Sequence, residues 1–284
     1  MILLDGKYVA DQIQKKLTTE IKSLLDQHIH PKLTVILVGN DVASEMYVKM
    51  KQKQCQLLNI QSQCIRFTDT VPQSQIIHQI EILNKDTSIH GILIQLPLPK
   101  HLNTDGIMNT IDPYKDVDGF HTLNAGKLML NQDYLFLPCT PKGCIELLDF
   151  YQIDVKGMNI VIIGCSSIVG LPLSLLLLHR GATITICHID TQDTKQHTLN
   201  ADMVVACCGV PHLLKKEWIR ENTILIDIGI HKQNHKTIGD IDFEDVKEKA
   251  SYITPVPGGI GPMTIAMLMK QTVKAATQYS IYSI

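Results

Sequence analysis

Residues 161–170 read VIIGCSSIVG, and this stretch decides which fold the sequence favours. A run of β-branched residues meets Gly164, two serines follow, and a second glycine stands at Gly170. A strand that turns through a glycine into a helix presents free backbone N–H groups and the positive end of the helix, which together favour a phosphate group. The stretch therefore predicts a dinucleotide-binding loop. An ordinary strand-to-helix turn remains the alternative, because the middle glycine of G-x-G-x-x-G is missing.

The individual residues of this loop suit that interpretation. Gly164 allows the tight turn, and Gly170 allows the helix to approach the sheet closely. Ser166 and Ser167 are predicted to cap the helix and to donate to phosphate oxygens. A further strand-like run at 182–188 follows at the distance expected for a βαβ unit.

Short apolar runs alternate with helical patterns along the whole chain. Because these runs are apolar throughout, they predict strands buried on both faces of a parallel sheet. The βαβα order predicts an α/β fold. The predicted strands are residues 33–39, 91–95, 159–164, 182–188, 202–209 and 223–229. The predicted helices are residues 44–58, 73–85, 142–151, 169–180 and 242–250.

A segment rich in turn formers, residues 112–130, divides the chain. We predict an N-terminal α/β catalytic domain over residues 1–118 and a Rossmann-like dinucleotide-binding domain over residues 119–256. A loop rich in proline and glycine then leads into a helix, residues 261–280, which is predicted to complete the first domain.

The composition of the chain excludes several classes of protein. Hydrophobic residues are 45% and charged residues 19% of the 284, which is ordinary for a globular protein in the cytoplasm. A net charge of −2 argues against nucleic acid as a partner. The longest apolar run, residues 171–178, is too short to span a membrane. None of the eight cysteines forms C-x-x-C and the histidines lack ligand spacing, so we expect reduced thiols and no metal site.

The predicted helix at 44–58 carries a possible reactive group. Ser44, Tyr47 and Lys51 share one face at helical spacing. An aromatic ring beside an amine could stack on a flat ligand, while a partly desolvated lysine exchanges protons near pH 7. A solvated Tyr–Lys pair on a helix surface is the simpler interpretation of these residues alone.

Three loops are candidates for ligand binding. GILIQLPLP ends a buried strand with Gln95, at the sheet edge where ligands bind in open α/β folds. KDVDG offers Asp116 and Asp118 in a turn. PVPGGIGP, residues 255–262, requires unusual backbone geometry, and a cis X–Pro bond is expected there. A plain rigid turn is the alternative for this last loop.

Together these segments resemble the bifunctional methylenetetrahydrofolate dehydrogenase/methenyltetrahydrofolate cyclohydrolase family, in its bacterial two-activity form. The stretches that carry the resemblance are VGNDVASEMYVKMK, HGILIQLPLP, KDVDGFH, LPCTPKG, the loop at 161–170, ATITICH and ITPVPGGIGPMT. The resemblance implies an enzyme of one-carbon metabolism with two α/β domains separated by a deep cleft. It also implies a homodimer, tetrahydrofolate derivatives as substrates and NADP as the cofactor.

The resemblance implies roles for single residues. Lys51 is the expected catalytic lysine, Gln95 tunes its protonation, Tyr47 stacks on the aminobenzoyl part of the folate, and Asp118 binds the pterin ring. The other expected substrate contacts are Ser44, Ile94, Leu96, Pro257, Gly258, Gly259, Ile260 and Gly261. The expected cofactor contacts are Gly164, Cys165, Ser166, Ile189 and Ile230.

The sequence departs from the family pattern where the cofactor is selected. Cys165 stands where the family carries an arginine, and Ile189 stands where it carries a serine; both family residues are expected near the 2′-phosphate of NADP. Asp190 adds an acid beside them, which favours a ribose 2′-OH over a phosphate. We therefore expect NADP to be used with reduced preference over NAD, unless His188 or Lys195 supplies the missing charge.

Three other functions are compatible with parts of the pattern. One is a dehydrogenase of the same fold without cyclohydrolase activity, which the pairing of Lys51 with Gln95 argues against. A second is an amino-acid-type dehydrogenase with two domains, for which PVPGGIGPMT has no use. A third is a non-catalytic ligand sensor, which the retained Tyr47 and Asp118 disfavour.

Overall fold

The structure is a computed structural model that describes residues 1–233 and 236–282, without the side chains of residues 279–282. Its strands are β1 (Ile2–Leu3), β2 (Lys32–Val38), β3 (Gln61–Phe67), β4 (Gly91–Ile94), β5 (Asn159–Ile163), β6 (Thr183–Cys187), β7 (Met203–Ala206), β8 (Thr223–Asp227), β9 (His231–Gln233), β10 (Lys236–Ile238) and β11 (Ala250–Ile253). Its helices are α1 (Gly6–Asp26), α2 (Val42–Leu57), α3 (Gln73–Lys85), α4 (Thr104–Met108), α5 (Thr122–Met129), α6 (Cys139–Phe150), α7 (Gly170–His179), α8 (Thr194–Leu199), α9 (Phe243–Val246) and α10 (Ile260–Tyr282).

The chain forms two compact units. Unit 1 contains Met1–Asp11 and Pro138–Thr264, and unit 2 contains Gln12–Leu137 and the described residues from Ile265 onward. The packing therefore groups residues 119–137 with unit 2 and residues 1–11 with unit 1, whereas the sequence-based boundary was placed at 118/119. Helices α1 and α10 contribute residues to both units.

Unit 1 is built on a six-stranded sheet in the order β1-β11-β8-β7-β5-β6. All neighbouring strands in it are parallel. Its central strands are buried along their length, as the uninterrupted apolar runs predicted. An antiparallel hairpin of β9 and β10 follows β8. This order is that of a Rossmann-like α/β unit, so the predicted fold class is confirmed.

Unit 2 contains a three-stranded parallel sheet in the order β3-β2-β4. Ile36, Ile76, Ile80 and Ile92 lie in its core and are inaccessible to solvent. Gln271 on α10 is also buried: its Nε2 donates to Val117 O at 2.7 Å and to Leu137 O at 2.9 Å. The C-terminal helix therefore packs against residues of the N-terminal half.

Each strand and helix predicted from the sequence overlaps an element of the structure. The predicted helix at 242–250 is too long, because α9 ends at Val246 and Ala250 already begins β11. Strand β3 and helix α1 were not predicted. In the described residues, no helix is both long and apolar enough to cross a membrane.

Candidate functional site

Helix α2 positions the predicted catalytic lysine. It begins after Asp41, whose carboxylate accepts the Ser44 N–H at 2.7 Å and so caps the helix. One turn apart on the same helix lie Ser44, Tyr47 and Lys51, of which Ser44 is buried and the other two are half-buried. Burial raises the pKa of Tyr47, so its phenol stays protonated and its ring presents a neutral face.

Gln95 lies directly beyond β4 and faces Lys51. Its backbone N–H donates to Ile36 O at 2.9 Å, which continues the pairing of β4 with β2. Its side-chain Nε2 donates to Leu96 O at 2.8 Å, which turns the amide oxygen toward the lysine. Lys51 Nζ donates to Gln95 Oε1 at 3.0 Å. The structure thus brings the helix and the strand end together through one hydrogen bond.

The chemistry of this pair depends on the amide being neutral. A carboxylate beside a lysine stabilises the ammonium form, whereas an amide oxygen accepts a hydrogen bond from either the ammonium or the neutral amine. Among the described residues, no acidic side chain forms an ion pair with Lys51. The amine can therefore release and take up a proton without losing its partner.

Asp118 belongs to a turn beside the same strand. Ile92 N donates to Lys115 O at 2.8 Å, and Ile92 forms a parallel bridge with Asp116, so the KDVDG segment runs along β4. Gly119, with a φ of 77°, closes the turn by donating to Asp116 O at 3.0 Å. This geometry carries Asp118 toward the carboxyl edge of the unit 2 sheet, where Ile94, Gln95 and Leu96 also lie.

Two buried charged residues that were not assigned a role hold this turn. Lys115 is inaccessible to solvent, and its Nζ donates to Leu83 O at 2.9 Å and to Asp86 O at 2.7 Å. Asp116 accepts from His121 N at 2.8 Å and from Asn124 Nδ2 at 3.1 Å. Burial nevertheless raises the pKa of Asp116 to about 7. The sequence analysis interpreted KDVDG as a turn that offers Asp116 and Asp118 to a ligand, so these structural roles were not foreseen.

The loop at 164–170 in unit 1 has the shape expected of a phosphate-binding turn. Gly164 has a φ of 122°, and its N–H donates to Cys187 O at 2.8 Å. A Cβ at Gly170 would overlap the carbonyl oxygen of Gly164, so α7 starts directly against the loop. Such an approach leaves backbone room for a pyrophosphate at the helix N-terminus, which fits a dinucleotide.

The serine cap differs from the prediction in detail. Ser166 Oγ accepts the N–H of Val169 at 3.2 Å, whereas α7 begins one residue later without a side-chain cap. Cys165, Ser166 and Ser167 are all exposed. Their polar atoms therefore lie on the surface of unit 1, directly before the start of α7.

The other predicted cofactor contacts lie beyond the carboxyl ends of two further strands of the unit 1 sheet, β6 and β8. Ile189 follows β6 and is 98% exposed. The Asp190 N–H donates to His188 Nδ1 at 3.2 Å. The Asp190 carboxylate is 3.6 Å from that nitrogen and is 87% exposed. Ile230 follows β8 and is also exposed.

The loop at 257–261 belongs to unit 1. The Val256–Pro257 peptide bond is cis, as expected, and Leu96–Pro97 in unit 2 is cis as well. Gly258 has a φ of 110°, and its carbonyl accepts the Lys7 N–H at 2.8 Å. A Cβ at Gly6 would overlap the carbonyl of Gly259, so the start of α1 holds this loop. Helix α10 then begins at Ile260, and Gly261 lies in its first turn.

No group of three or more His, Cys, Asp or Glu side chains in residues 1–233 and 236–282 could hold a metal ion. The eight cysteines are all free thiols.

Two family models match the chain. The tetrahydrofolate dehydrogenase/cyclohydrolase catalytic domain matches residues 4–118, and the NAD(P)-binding domain of the same family matches residues 138–280. The curated bifunctional protein FolD of a Nitratiruptor species is 52% identical over 279 residues, which are 98% of this chain and 99% of the relative.

Solved structures agree with this similarity. The bifunctional FolD methylenetetrahydrofolate dehydrogenase/cyclohydrolase of Campylobacter jejuni is 46% identical with a TM-score of 0.96, covering 98% of this chain and 99% of the other. The Trypanosoma brucei methylenetetrahydrofolate dehydrogenase-cyclohydrolase, complexed with NADP cofactor and inhibitor, is 32% identical with a TM-score of 0.94, covering 99% and 98%.

Proposed function

Because the chain belongs to the tetrahydrofolate dehydrogenase/cyclohydrolase family, we propose that Lys51, Gln95, Tyr47 and Asp118 are the residues that carry its chemistry. The protein is a bifunctional enzyme. It oxidises 5,10-methylenetetrahydrofolate to the methenyl form with a nicotinamide dinucleotide and hydrolyses that product to 10-formyltetrahydrofolate. The hydrogen bond of 3.0 Å between Lys51 Nζ and Gln95 Oε1 is the observation that carries the assignment of residues.

The oxidation requires positioning more than acid–base chemistry. When bound, the dinucleotide supplies a nicotinamide ring that accepts a hydride from the methylene carbon. Tyr47 stacks on the aminobenzoyl ring of the substrate with its neutral, half-buried phenol ring. Asp118 binds the amino-pyrimidine edge of the pterin, since a carboxylate accepts from neighbouring N–H donors. Both residues thereby fix the reacting carbon in place.

The hydrolysis requires proton transfer. A water molecule attacks the cationic methenyl carbon, and Lys51 as a neutral amine takes a proton from that water. The bond from this carbon to one ring nitrogen then breaks as the formyl C=O forms. The lysine ammonium gives its proton to the leaving nitrogen, and the remaining hydroxyl proton passes to solvent. Gln95 holds the amine within reach in both protonation states, because its oxygen accepts from either form.

The remaining expected substrate contacts fall into two groups. One group belongs to unit 2: Ser44 is on α2 together with Lys51, and the residues on either side of Gln95 are Ile94 and Leu96. Residues 257–261 form the loop of unit 1 that the start of α1 holds. Their carbonyl and N–H groups are the polar contacts that we assign to the folate.

The cofactor is a nicotinamide dinucleotide, and we propose that it is NADP with weakened preference over NAD. Gly164, Cys165 and Ser166 contact the phosphates, and Ile189 and Ile230 contact the nucleoside parts. No cationic side chain stands at 165 or 189, and the exposed carboxylate of Asp190 opposes a 2′-phosphate. His188 reduces this effect only when it is protonated.

We also propose a homodimer in the cytoplasm. Leu171 and Leu178 on α7 are 42% and 51% exposed and lie on one face, beside the edge strand β6. Free thiols suit a reducing compartment. Light scattering on the purified protein tests the dimer: a monomeric mass at micromolar concentration would contradict it, and Leu178→Lys is expected to weaken it.

The assignment of catalytic residues is tested by Lys51→Met. The variant is expected to fold and to lose methenyltetrahydrofolate hydrolysis. Hydrolysis at close to the wild-type rate in the purified variant would show that Lys51 does not have the proposed role.

A further inference from the structure

Two buried carboxylates lie in unit 1 at the carboxyl ends of its strands, outside the residues assigned so far. Asp227 ends β8 and is 3% exposed, and Asp240 follows β10 and is inaccessible to solvent. Glycines make room for both. A Cβ at Gly229 would overlap the Asp240 carboxylate, and a Cβ at Gly239 would overlap that of Asp227.

Asp240 joins two loops. Its Oδ2 accepts the N–H of Cys208 at 2.8 Å and the N–H of Gly209 at 2.9 Å, both in the loop after β7. Its Oδ1 lies 2.7 Å from Nε2 of His231, which begins β9 directly after the loop that follows β8. One carboxylate therefore ties the loop after β7 to the loop after β8.

Asp227 fixes Asp240 in turn. Its Oδ1 accepts the N–H of Gly229 and of Asp240, each at 3.0 Å, and its Oδ2 accepts the N–H of Ile241 at 2.9 Å. The backbone N–H groups of Asp240 and of the residue after it are therefore held by the Asp227 carboxylate at the end of β8. The His231 imidazole is thus the one side-chain nitrogen that the structure shows hydrogen-bonded to this pair of carboxylates within the described residues.

The loops held in this way adjoin the expected cofactor contacts. Ile230 immediately precedes His231. Cys207, which immediately precedes Cys208, packs against the phosphate loop: a Cβ at Gly164 would overlap its carbonyl oxygen. In the sheet, β7 and β8 lie on the side of β5 away from β6, which is the side opposite the Asp190 region. The nicotinamide half of a dinucleotide extends to that side from the phosphate loop.

We propose that His231 and Asp240 form a latch that positions the loops after β7 and β8 for the nicotinamide half of the cofactor. His231 is a positioning residue, since it acts through Asp240 and Ile230. The inference rests on the proposed cofactor site. Without the imidazole, Asp240 Oδ1 loses its donor while remaining buried, which costs enough free energy to displace one of the two loops.

The two activities of the enzyme separate this role from a general effect on folding. The cyclohydrolase reaction consumes no dinucleotide, so a displaced cofactor loop should leave it intact. The test compares His231→Ala with His231→Gln, whose amide can still donate to Asp240. His78→Ala, which removes an exposed histidine on α3 of unit 2, is the control. NADPH binding is measured by the fluorescence of the reduced nicotinamide, and methenyltetrahydrofolate hydrolysis is measured in the same preparations.

His231→Ala is expected to weaken NADPH binding about tenfold, with hydrolysis unchanged and with binding largely restored in His231→Gln. Unchanged NADPH binding in His231→Ala would overturn the latch. So would a parallel loss of hydrolysis, or a glutamine variant as weak as the alanine variant. Because NADPH binding is read without turnover, failure of the latch remains distinguishable from failure of the proposed cofactor site, which would appear as absent NADPH binding in the wild-type enzyme.

Discussion

Lys51 and Gln95 are 44 residues apart in the chain, yet the lysine Nζ lies 3.0 Å from the amide oxygen, and a second hydrogen bond from that amide to Leu96 O fixes its orientation. The lysine thus has a neutral, oriented partner that accepts a hydrogen bond in either protonation state. Lys51 can exchange protons because an amine can lose one and because the neutral amide of Gln95 does not hold it in the ammonium form.

Substitution of Lys51 should therefore separate charge from proton exchange. Lys51→Arg keeps a cation and a donor to Gln95 but cannot deprotonate near neutral pH, so it should lose hydrolysis as Lys51→Met does, by about a hundredfold or more. Lys49→Met, on the exposed side of the same helix, should retain both activities. An arginine variant with high hydrolase activity would show that only the positive charge is required.

Replacing Gln95 by glutamate should shift the pH dependence of hydrolysis. A carboxylate at this distance favours the ammonium form of Lys51, which cannot take a proton from water. Gln95→Glu should thus lose activity at pH 7 and recover part of it at higher pH. The measurement is a pH–rate profile of both proteins, and superimposable profiles would contradict the proposed pairing.

Cofactor preference should respond to charge at the β5 and β6 ends. Cys165→Arg and Asp190→Asn should each raise the ratio of kcat/KM for NADP to that for NAD, the arginine by about tenfold or more. Asp133→Asn, at an exposed position in unit 2, controls for the change in net charge. A wild-type preference for NADP of a thousandfold or more would contradict weakened discrimination.

The close approach of α7 to the phosphate loop should make Gly170 intolerant of a side chain. Gly170→Ala forces the helix away from Gly164 and should weaken NADPH binding by about tenfold or more. Gly126→Ala on α5 is the matched control, because its Cβ would meet nothing within 4 Å; it should be neutral or stabilise the protein by up to about 1 kcal/mol. Equal NADPH affinity in both variants would contradict the proposed packing role.

Burial of Asp116 predicts a pH dependence of stability. Its pKa is about 7 in the folded protein and near its ordinary value of 3.8 when unfolded, so the folded state binds more protons between these values. The free energy of unfolding should therefore fall as pH rises from about 4 to about 7, with a contribution of up to about 1.4 kcal/mol per pH unit from this group. The Asp116→Asn variant has no ionisable group at this position, so its free energy of unfolding, measured with urea, should change less between pH 5 and pH 7 than that of the wild type. An equal change in both proteins would contradict this prediction.

The sequence predicted the parallel core of the fold well, and the reason is physical. The strands at 159–163, 203–206 and 223–227 are buried on both faces, so their composition alone distinguishes them from their surroundings. Strand β3 reads QSQCIRF and is mostly half-buried at the sheet edge, where polar residues are tolerated, so it lacked that signal. Helix α9 ends early because Ala250 pairs with Thr223, a contact between distant residues that no local pattern contains.

The candidate site was predictable only in part. Helical spacing placed Tyr47 and Lys51 on one face, but the partner Gln95 came from resemblance to a family. The pairing of His231 with Asp240 was not foreseen, because an isolated histidine and an aspartate after a glycine are common on protein surfaces. Two glycines, Gly229 and Gly239, were the available signal: each stands where a carboxylate packs against the backbone.

The parallel pairing of Ile2 and Leu3 with Tyr252 and Ile253 has a consequence for synthesis on the ribosome. Strand β1 is translated long before β11, so it has no partner until nearly the whole of unit 1 has been made. Until β11 emerges, β8 forms the open edge of the growing sheet, and all five of its residues are apolar or buried in the finished protein. While β11 is still being made, the nascent chain thus exposes an unpaired strand edge that is prone to aggregation and that a chaperone would protect.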